Sequence, residues 1–294
     1  MSSSHETVDR GKPIRLFALP QSVRRLGKLI RRKPEWSISP AVLIALLLAW
    51  YAATHSLHVP EFILPAPEQV WGALFRGLAA GPFDKSGFWY HTGITVWEAL
   101  LGFFLGSSVG TVLGFAIASS RLFERVAYPY IVAFQALPKV AVAPLLVIWF
   151  GFGIGGKILI TSIIAFFPLL VNAIAGYQSV DPDRIDLARS CNATQWQILW
   201  KIIVPSALPF LFAGLNVATV LAVLGAIVGE FVGAQAGLGM LLMQYDQSME
   251  IAPVFAVLVI LGLVGFLMNV AVRLVERHFC FWAQRMSHRP GTEA

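Results

Sequence analysis

Apolar residues run through this chain in blocks too long for the strands or amphipathic helices of a water-soluble domain. Six stretches approach the ~20 mostly apolar residues that a helix needs to cross the hydrocarbon core. They are 38–54, 92–119, 127–150, 157–177, 209–232 and 253–275, and each is predicted to be a membrane-spanning helix. The third contains Pro129, Pro138 and Pro144. Each proline removes a backbone donor, so this helix is expected to have openings in its hydrogen bonding. On the second stretch Gly102, Gly106, Gly110 and Gly114 recur every four residues, and Ala118 continues the series. That spacing places them on one face, a smooth stripe suited to close approach by another helix.

The polar breaks between these blocks carry their own patterns. Residues 179–208 read as two short helices. Asp181 is placed as an N-cap with Pro182 in the first turn, and the helix is expected to end near Asn192, which tolerates a left-handed reversal. Ile198, Leu199, Ile202 and Ile203 then recur at helical spacing, and Pro205 and Pro209 are expected to break the chain and restart it as the fifth span. A charge-balanced helical hairpin suits a groove on another protein; a solvated connector is the competing reading. Residues 23–33 alternate Val23, Leu26, Leu29 and Ile30 with six Lys or Arg. They read as a basic amphipathic helix on an anionic membrane surface. The adjacent span explains this run better than nucleic-acid binding does, and no nucleic-acid partner is expected.

Composition agrees with the pattern. Hydrophobic residues make up 57% of the chain and charged residues 13%, about half the ~25% usual for soluble domains. A cytosolic enzyme, a disulfide-rich secreted domain and a disordered chain are excluded, leaving an all-α integral membrane protein. Cys191 and Cys280 form no CxxC pair, and the six histidines form no metal-binding spacing, so no metal is expected. Residues 1–37 do not have the form of a cleavable signal peptide. Eighteen Lys and Arg fall on one side of the predicted topology; Arg76, Lys85 and Lys157 fall on the other. By the positive-inside rule both termini are expected in the cytoplasm. The chain divides into a basic N-terminal segment (1–37), a transmembrane domain (38–276) and a C-terminal tail (277–294).

Gly151, Gly153 and Gly156 fit GxGxxG, and with Lys157 they fit most of a P-loop. Ile158 stands where magnesium needs Ser or Thr, and no βαβ unit surrounds the segment. It reads as an outer turn between two helices, and the chain is expected to have no ATP site.

Asp186-Leu187-Ala188, three residues, Asn192, nine residues, then Ile202-Ile203-Val204-Pro205 resembles the EAA motif of importer permeases in the ABC transporter superfamily. That motif is Glu-Ala-Ala, three residues, Gly, nine residues, Ile-x-Leu-Pro. The spacing matches throughout; Asp186, Leu187, Asn192 and Val204 are the departures. Leu137-Pro138 through Pro144-Leu145, Trp149-Phe150-Gly151, and Gly229-Glu230-Phe231 through Gly237-Leu238-Gly239 resemble the nitrate/sulfonate/taurine branch. The resemblance covers 62–277. It implies a six-helix permease of the type I importer fold, paired as a homodimer in a bacterial inner membrane. The loop would dock on a separate ABC ATPase, which binds ATP and magnesium, while the permease itself holds no cofactor and is not an enzyme. A substrate-binding protein would deliver the solute to the outer face, where 56–88 is expected to lie along the interface and help receive it.

Polar residues inside apolar spans usually face a bundle interior or a water-filled path. Lys139, between Pro138 and Pro144, is a pathway candidate, with pairing to a carboxylate or carbonyl as the rival. Glu230 is a gate or interface candidate against simple solvation, Glu98 is expected to snorkel outward, and Gln135 and Asn172 are neutral candidates for lining the path. An autonomous secondary transporter or channel is the alternative function, although no inverted repeat supports it. A scaffold or receptor subunit would leave the prolines of the third span unexplained. Sulfonates, nitrate and pyrimidine precursors all fit as solutes.

Overall fold

A computed structural model of the chain describes residues 35–56, 59–81 and 84–281. The helix expected at 23–33 and the tail beyond Phe281 lie outside these residues. Among the described residues there are helices and turns but no strand. Residues 1–59 and 60–294 form separate units. The first carries α1 (Glu35–Ser56), whose apolar part, Pro40–Ser56, is at the short limit for a span.

The second unit runs α2 (Pro67–Ala79), α3 (Phe88–Ala118), α4 (Arg121–Ala136), α5 (Lys139–Phe150), α6 (Ile154–Gln178), α7 (Pro182–Ser190), α8 (Gln195–Ile198), α9 (Val204–Phe231), α10 (Leu238–Gln247) and α11 (Ile251–Phe279). Among the described residues α3, α6, the run Gln195–Phe231 and α11 are long and apolar enough to cross a membrane, and the α4–α5 pair makes a fifth candidate.

Helix α6 is the centre of this unit, because small residues let two helices reach its backbone. Along the α3 stripe, a methyl group on Gly106 would lie 2.3 Å from the Ser162 carbonyl oxygen. One on Gly110 would lie 2.5 Å from that of Phe166, and one on Gly114 2.8 Å from that of Leu170. Gly102 faces Thr161. Helix α9 brings a second stripe (Gly214, Ala218, Ala222, Gly225 and Gly229) to another face of α6, with Ala218 and Ala222 fully buried. Phe103, Leu169, Ala173 and Leu211 fill the space between. In lipid, where burial from water gives little drive, such close van der Waals contact is what holds helices together.

Two expectations are corrected. The stretch 127–150 is two helices, whose axes turn by 91° between Ala136 and Lys139. Leu137 is extended (φ −65°, ψ 132°), as the residue before a proline prefers, and Pro138 cannot continue the ladder; Pro129 and Pro144 remain inside their helices. Conversely, the chain does not break at Pro205 or Pro209. A π-turn over Leu199–Ile203 joins α8 to α9, with the Val204 N–H donating to the Leu199 carbonyl five residues back. Pro205 stands in the first turn after this π segment and Pro209 inside α9, and the helix runs on through both.

Helices α2 and α10 were not anticipated. Within 56–88, α2 opens at Pro67 with the Gln69 side chain accepting from the Ala66 N–H at 3.0 Å. It packs on α11 with Val70 and Ala73 buried.

Candidate functional site: a docking loop and a buried polar cluster

The loop between α6 and α9 is rigid by local chemistry. Asp181 accepts from the Asp183 N–H at 3.0 Å and starts α7. Asn192 then reverses the chain in the left-handed conformation (φ 58°). Thr194 and Gln197 cap α8 reciprocally, side chain to backbone in both directions. Beneath the hairpin Val180, Ile198 and Ile203 form a small core against which Ile185, Ala188 and Ile202 pack. Val204 and Pro205 are half-buried where the helix resumes. What faces outward is apolar and aromatic: Leu187 is 68% exposed, Trp196 67% and Trp200 55%. The two indoles meet edge to face at 5.7 Å. Asp186 and Arg189 pair at 3.3 Å beside them, an exposed contact of little energetic weight.

At the other end of α6 lies a buried polar cluster. Lys157 of α6 forms an ion pair with Glu98 of α3. Thr95 donates to Glu230 Oε1 at 2.7 Å and accepts from the Leu238 N–H at 2.8 Å, while Glu230 Oε2 accepts from the Gly239 N–H at 2.5 Å. His91 Nδ1 accepts from the Gly237 N–H at 2.9 Å, so its Nε2, 2.9 Å from the Lys85 carbonyl, carries the ring proton. Gly237 has φ 129°, and a methyl group there would lie 2.2 Å from the Glu230 carboxyl. Four elements (α3, α6, α9 and α10) are thus tied together by side chains that are almost fully buried.

This corrects two readings. Lys157 is no outer-loop charge, being 6% exposed, and Glu98 does not snorkel, being 0% exposed; for Glu230, at 1%, simple solvation falls away and the gate or interface reading is left. A signal existed for Glu98: it stands four residues before Gly102 and therefore continues the stripe that meets α6. The glycine-rich segment closes α5 at Gly151 (φ 85°) and enters α6 at Ile154, and a methyl group on Gly156 would strike the Gly151 carbonyl oxygen at 2.5 Å. The remaining pathway candidates are not gathered into one site. Gln135, Pro138 and Lys139 sit at the α4–α5 bend, where Lys139 donates to the Gln135 carbonyl at 3.2 Å and lies 4.8 Å from the Phe167 ring centroid. Pro144 is exposed on α5. Asn172 donates to the Pro168 carbonyl at 2.8 Å beside Gly214. Among the described residues no cluster of His, Cys, Asp or Glu could hold a metal.

Replacing Glu230 with alanine leaves the Gly239 N–H without its acceptor. A loss of about 2–3 kcal/mol is expected, with a smaller loss for Glu230→Gln. Hydrogen exchange should quicken at Leu238 and Gly239 while α7 and α8 stay protected; unchanged exchange there would refute the role assigned to Glu230.

Residues 106–279 match the family described as binding-protein-dependent transport system inner membrane component. The chain belongs to this family. It is an ABC transporter permease of the nitrate/sulfonate/taurine type with the type I importer fold, and a multi-pass inner-membrane protein. Over 264 residues the permease is 36% identical to the riboflavin transport system permease protein of Chloroflexus aurantiacus, covering 88% of this chain and 97% of that one. It is 32% identical to a putative aliphatic sulfonates transport permease protein of Bacillus subtilis, covering 87% and 93%. To the formylaminopyrimidine transport permease protein of Halalkalibacterium halodurans it is 32% identical, covering 82% and 94%. These relatives are transporter subunits rather than enzymes. Among solved structures, the inward-facing MetNI methionine ABC transporter aligns over 73% of this permease and 99% of that chain, with a TM-score of 0.57 at 21% identity. That likeness concerns the fold.

Proposed function

We propose that this permease is the membrane subunit of an ATP-driven importer of a small polar solute, working as a homodimer with both termini in the cytoplasm. The exposed face of α7, α8 and the π-turn that follows (Leu187, Trp196 and Trp200 on a hairpin capped at both helix starts) supports this most directly. Exposed apolar side chains held on a rigid base are the composition of a binding hot spot. The balanced charges of Asp186 and Arg189 suit a protein groove better than an anionic membrane. In this reading α7 and α8 dock on a separate ATPase that binds ATP and magnesium. Closure of the two ATPase subunits displaces the docked helices, and the continuous helix Gln195–Phe231 carries the motion to the outer end, where Glu230 sits. A substrate-loaded binding protein delivers the solute to that face. Gln135, Pro138, Lys139, Pro144 and Asn172 then mark the bent and proline-bearing helices along which the path opens.

The test is co-purification and ATP-driven uptake in proteoliposomes. Leu187→Asp combined with Trp196→Ala should weaken ATPase capture at least about tenfold and abolish uptake, while the melting temperature stays at the wild-type value. Uptake by the purified chain alone, driven by an ion gradient, would sink the proposal in favour of a secondary transporter.

A further inference from the structure

The hydrogen bonds of the buried polar cluster leave its charges unbalanced. Glu98 and Glu230 are both buried, and among the described residues Lys157 is the one cation paired within the cluster. His91 adds no charge, because its Nδ1 accepts from the Gly237 N–H and so carries no proton. Two carboxylates facing one ammonium would bury a net negative charge, which is costly away from water. The bonding pattern shows where that charge is relieved. Glu98 Oε1 accepts from Lys157, and the Glu230 oxygens accept from Thr95 and from the Gly239 N–H. Glu98 Oε2 is equally buried and receives no donor from the described protein groups. Its carboxyl nevertheless lies within hydrogen-bonding reach of Glu230. Two carboxylate oxygens are both acceptors, so they bond only through a proton held between them.

We propose that Glu98 and Glu230 share one proton, which latches the 232–237 loop and α10 onto α3 at the end of α9 remote from the docking loop. With the proton the cluster is neutral overall, and each of the four carboxyl oxygens has a partner. Without it the two carboxylates repel, and the bonds that tie Glu230, Leu238 and Gly239 to Thr95 and to one another are weakened. Water has a route to the pair, since Glu98 and Lys157 line a cavity of about 830 Å³ with the exposed Lys85 at its edge. Once opened to water, each glutamate returns to its ordinary value of about 4.3 and is ionised at neutral pH. The closed latch therefore holds one more proton than the open one. Above about pH 5 its closure weakens by up to about tenfold per pH unit. The other ionisable groups at the cavity do not imitate this. Lys85 is screened by water. Tyr90 and Tyr245 are neutral phenols, and burial, with the Glu250 carboxylate, holds Tyr245 above its ordinary value. Protonating His91 would remove the acceptor of the Gly237 N–H, which loosens the latch on acidification, the opposite sign. The latch goes beyond the importer reading, because it belongs to this chain whatever the solute or the ATPase.

Hydrogen exchange at Leu238 and Gly239, measured on the full chain in lipid nanodiscs and corrected for the intrinsic pH dependence of exchange, tests it. Wild-type protection should fall about tenfold or more between about pH 6 and about pH 8, while that of α7 and α8 stays constant. In Glu230→Gln the amide can donate to Glu98 Oε2 at any pH, so protection should no longer depend on pH over this range. Infrared spectra read the proton itself. The wild type at about pH 6 should show the carbonyl band of a protonated carboxyl, fading as the pH rises and missing from Glu98→Gln and Glu230→Gln. If neither variant folds, the fading of that band together with the loss of protection in the wild type decides the matter. The proposal is overturned if wild-type protection is independent of pH, if a folded Glu230→Gln keeps the wild-type pH dependence, or if the band is absent. ATP-driven uptake with the ATPase tests the importer reading separately, and can succeed in a permease whose latch does not titrate.

Discussion

Replacement of Gly106 by leucine is expected to abolish a folded, detergent-stable permease. The added Cβ alone would stand 2.3 Å from the Ser162 carbonyl oxygen and 3.1 Å from its Cα. These are backbone atoms in the middle of α6, and no rotamer change relieves them. Helix α3 would have to separate from α6 along the whole stripe, and a loss of at least about 3 kcal/mol is expected. Gly93 is the control: on the same helix a methyl group there meets nothing within 4 Å, so Gly93→Ala should be neutral or stabilise by about 0.5–1 kcal/mol through helix propensity. Size-exclusion profiles and melting curves in detergent distinguish the two. A Gly106→Leu protein that melts with the wild type would show that α3 and α6 do not touch at this depth.

Lys157→Met is expected to have the second large effect. The pair it forms with Glu98 is buried on both sides, so removing the ammonium strands a carboxylate beside Glu230. Breaking a buried pair from one side costs about 3–5 kcal/mol, whereas replacing both partners by neutral groups costs much less. Lys157→Met with Glu98→Gln should therefore recover most of the loss. A double-mutant cycle read from melting in lipid nanodiscs checks this. If the two substitutions simply add, the ion pair contributes nothing and the cluster is held by Thr95, Glu230 and the backbone amides alone.

The inner loop was legible because its structure is local. An Asp-Pro start and an Asn able to turn left-handed act within a few residues, and the observed α7 and its reversal follow them; the Thr194–Gln197 cap that starts α8 is equally local but was not anticipated. The outer cluster was much less legible. His91, Thr95, Glu98, Lys157, Glu230 and Gly237 are spread over nearly half the chain, and each alone resembles an interfacial residue near a helix end. Only the close packing of α3 and α9 on α6 brings them together and removes them from water.

The prolines show the same division. Pro138 breaks its span and Pro205 does not, although both interrupt apolar runs. The helix runs through Pro205 after a π-turn over Leu199–Ile203, and nothing in the residue pattern announced it.

By itself, then, the sequence determined that this is a membrane protein built of helices, where four of the six apolar stretches run to within a few residues, and which loop carries the permease motif. Long apolar runs, caps and turn residues act over short distances and leave their mark in spacing. The tertiary structure alone decided which charges are buried, which proline bends the path and where a solute-sized cavity lies. Those features depend on how closely distant backbones approach, and in this permease that is set by glycines and alanines whose partners lie elsewhere in the chain.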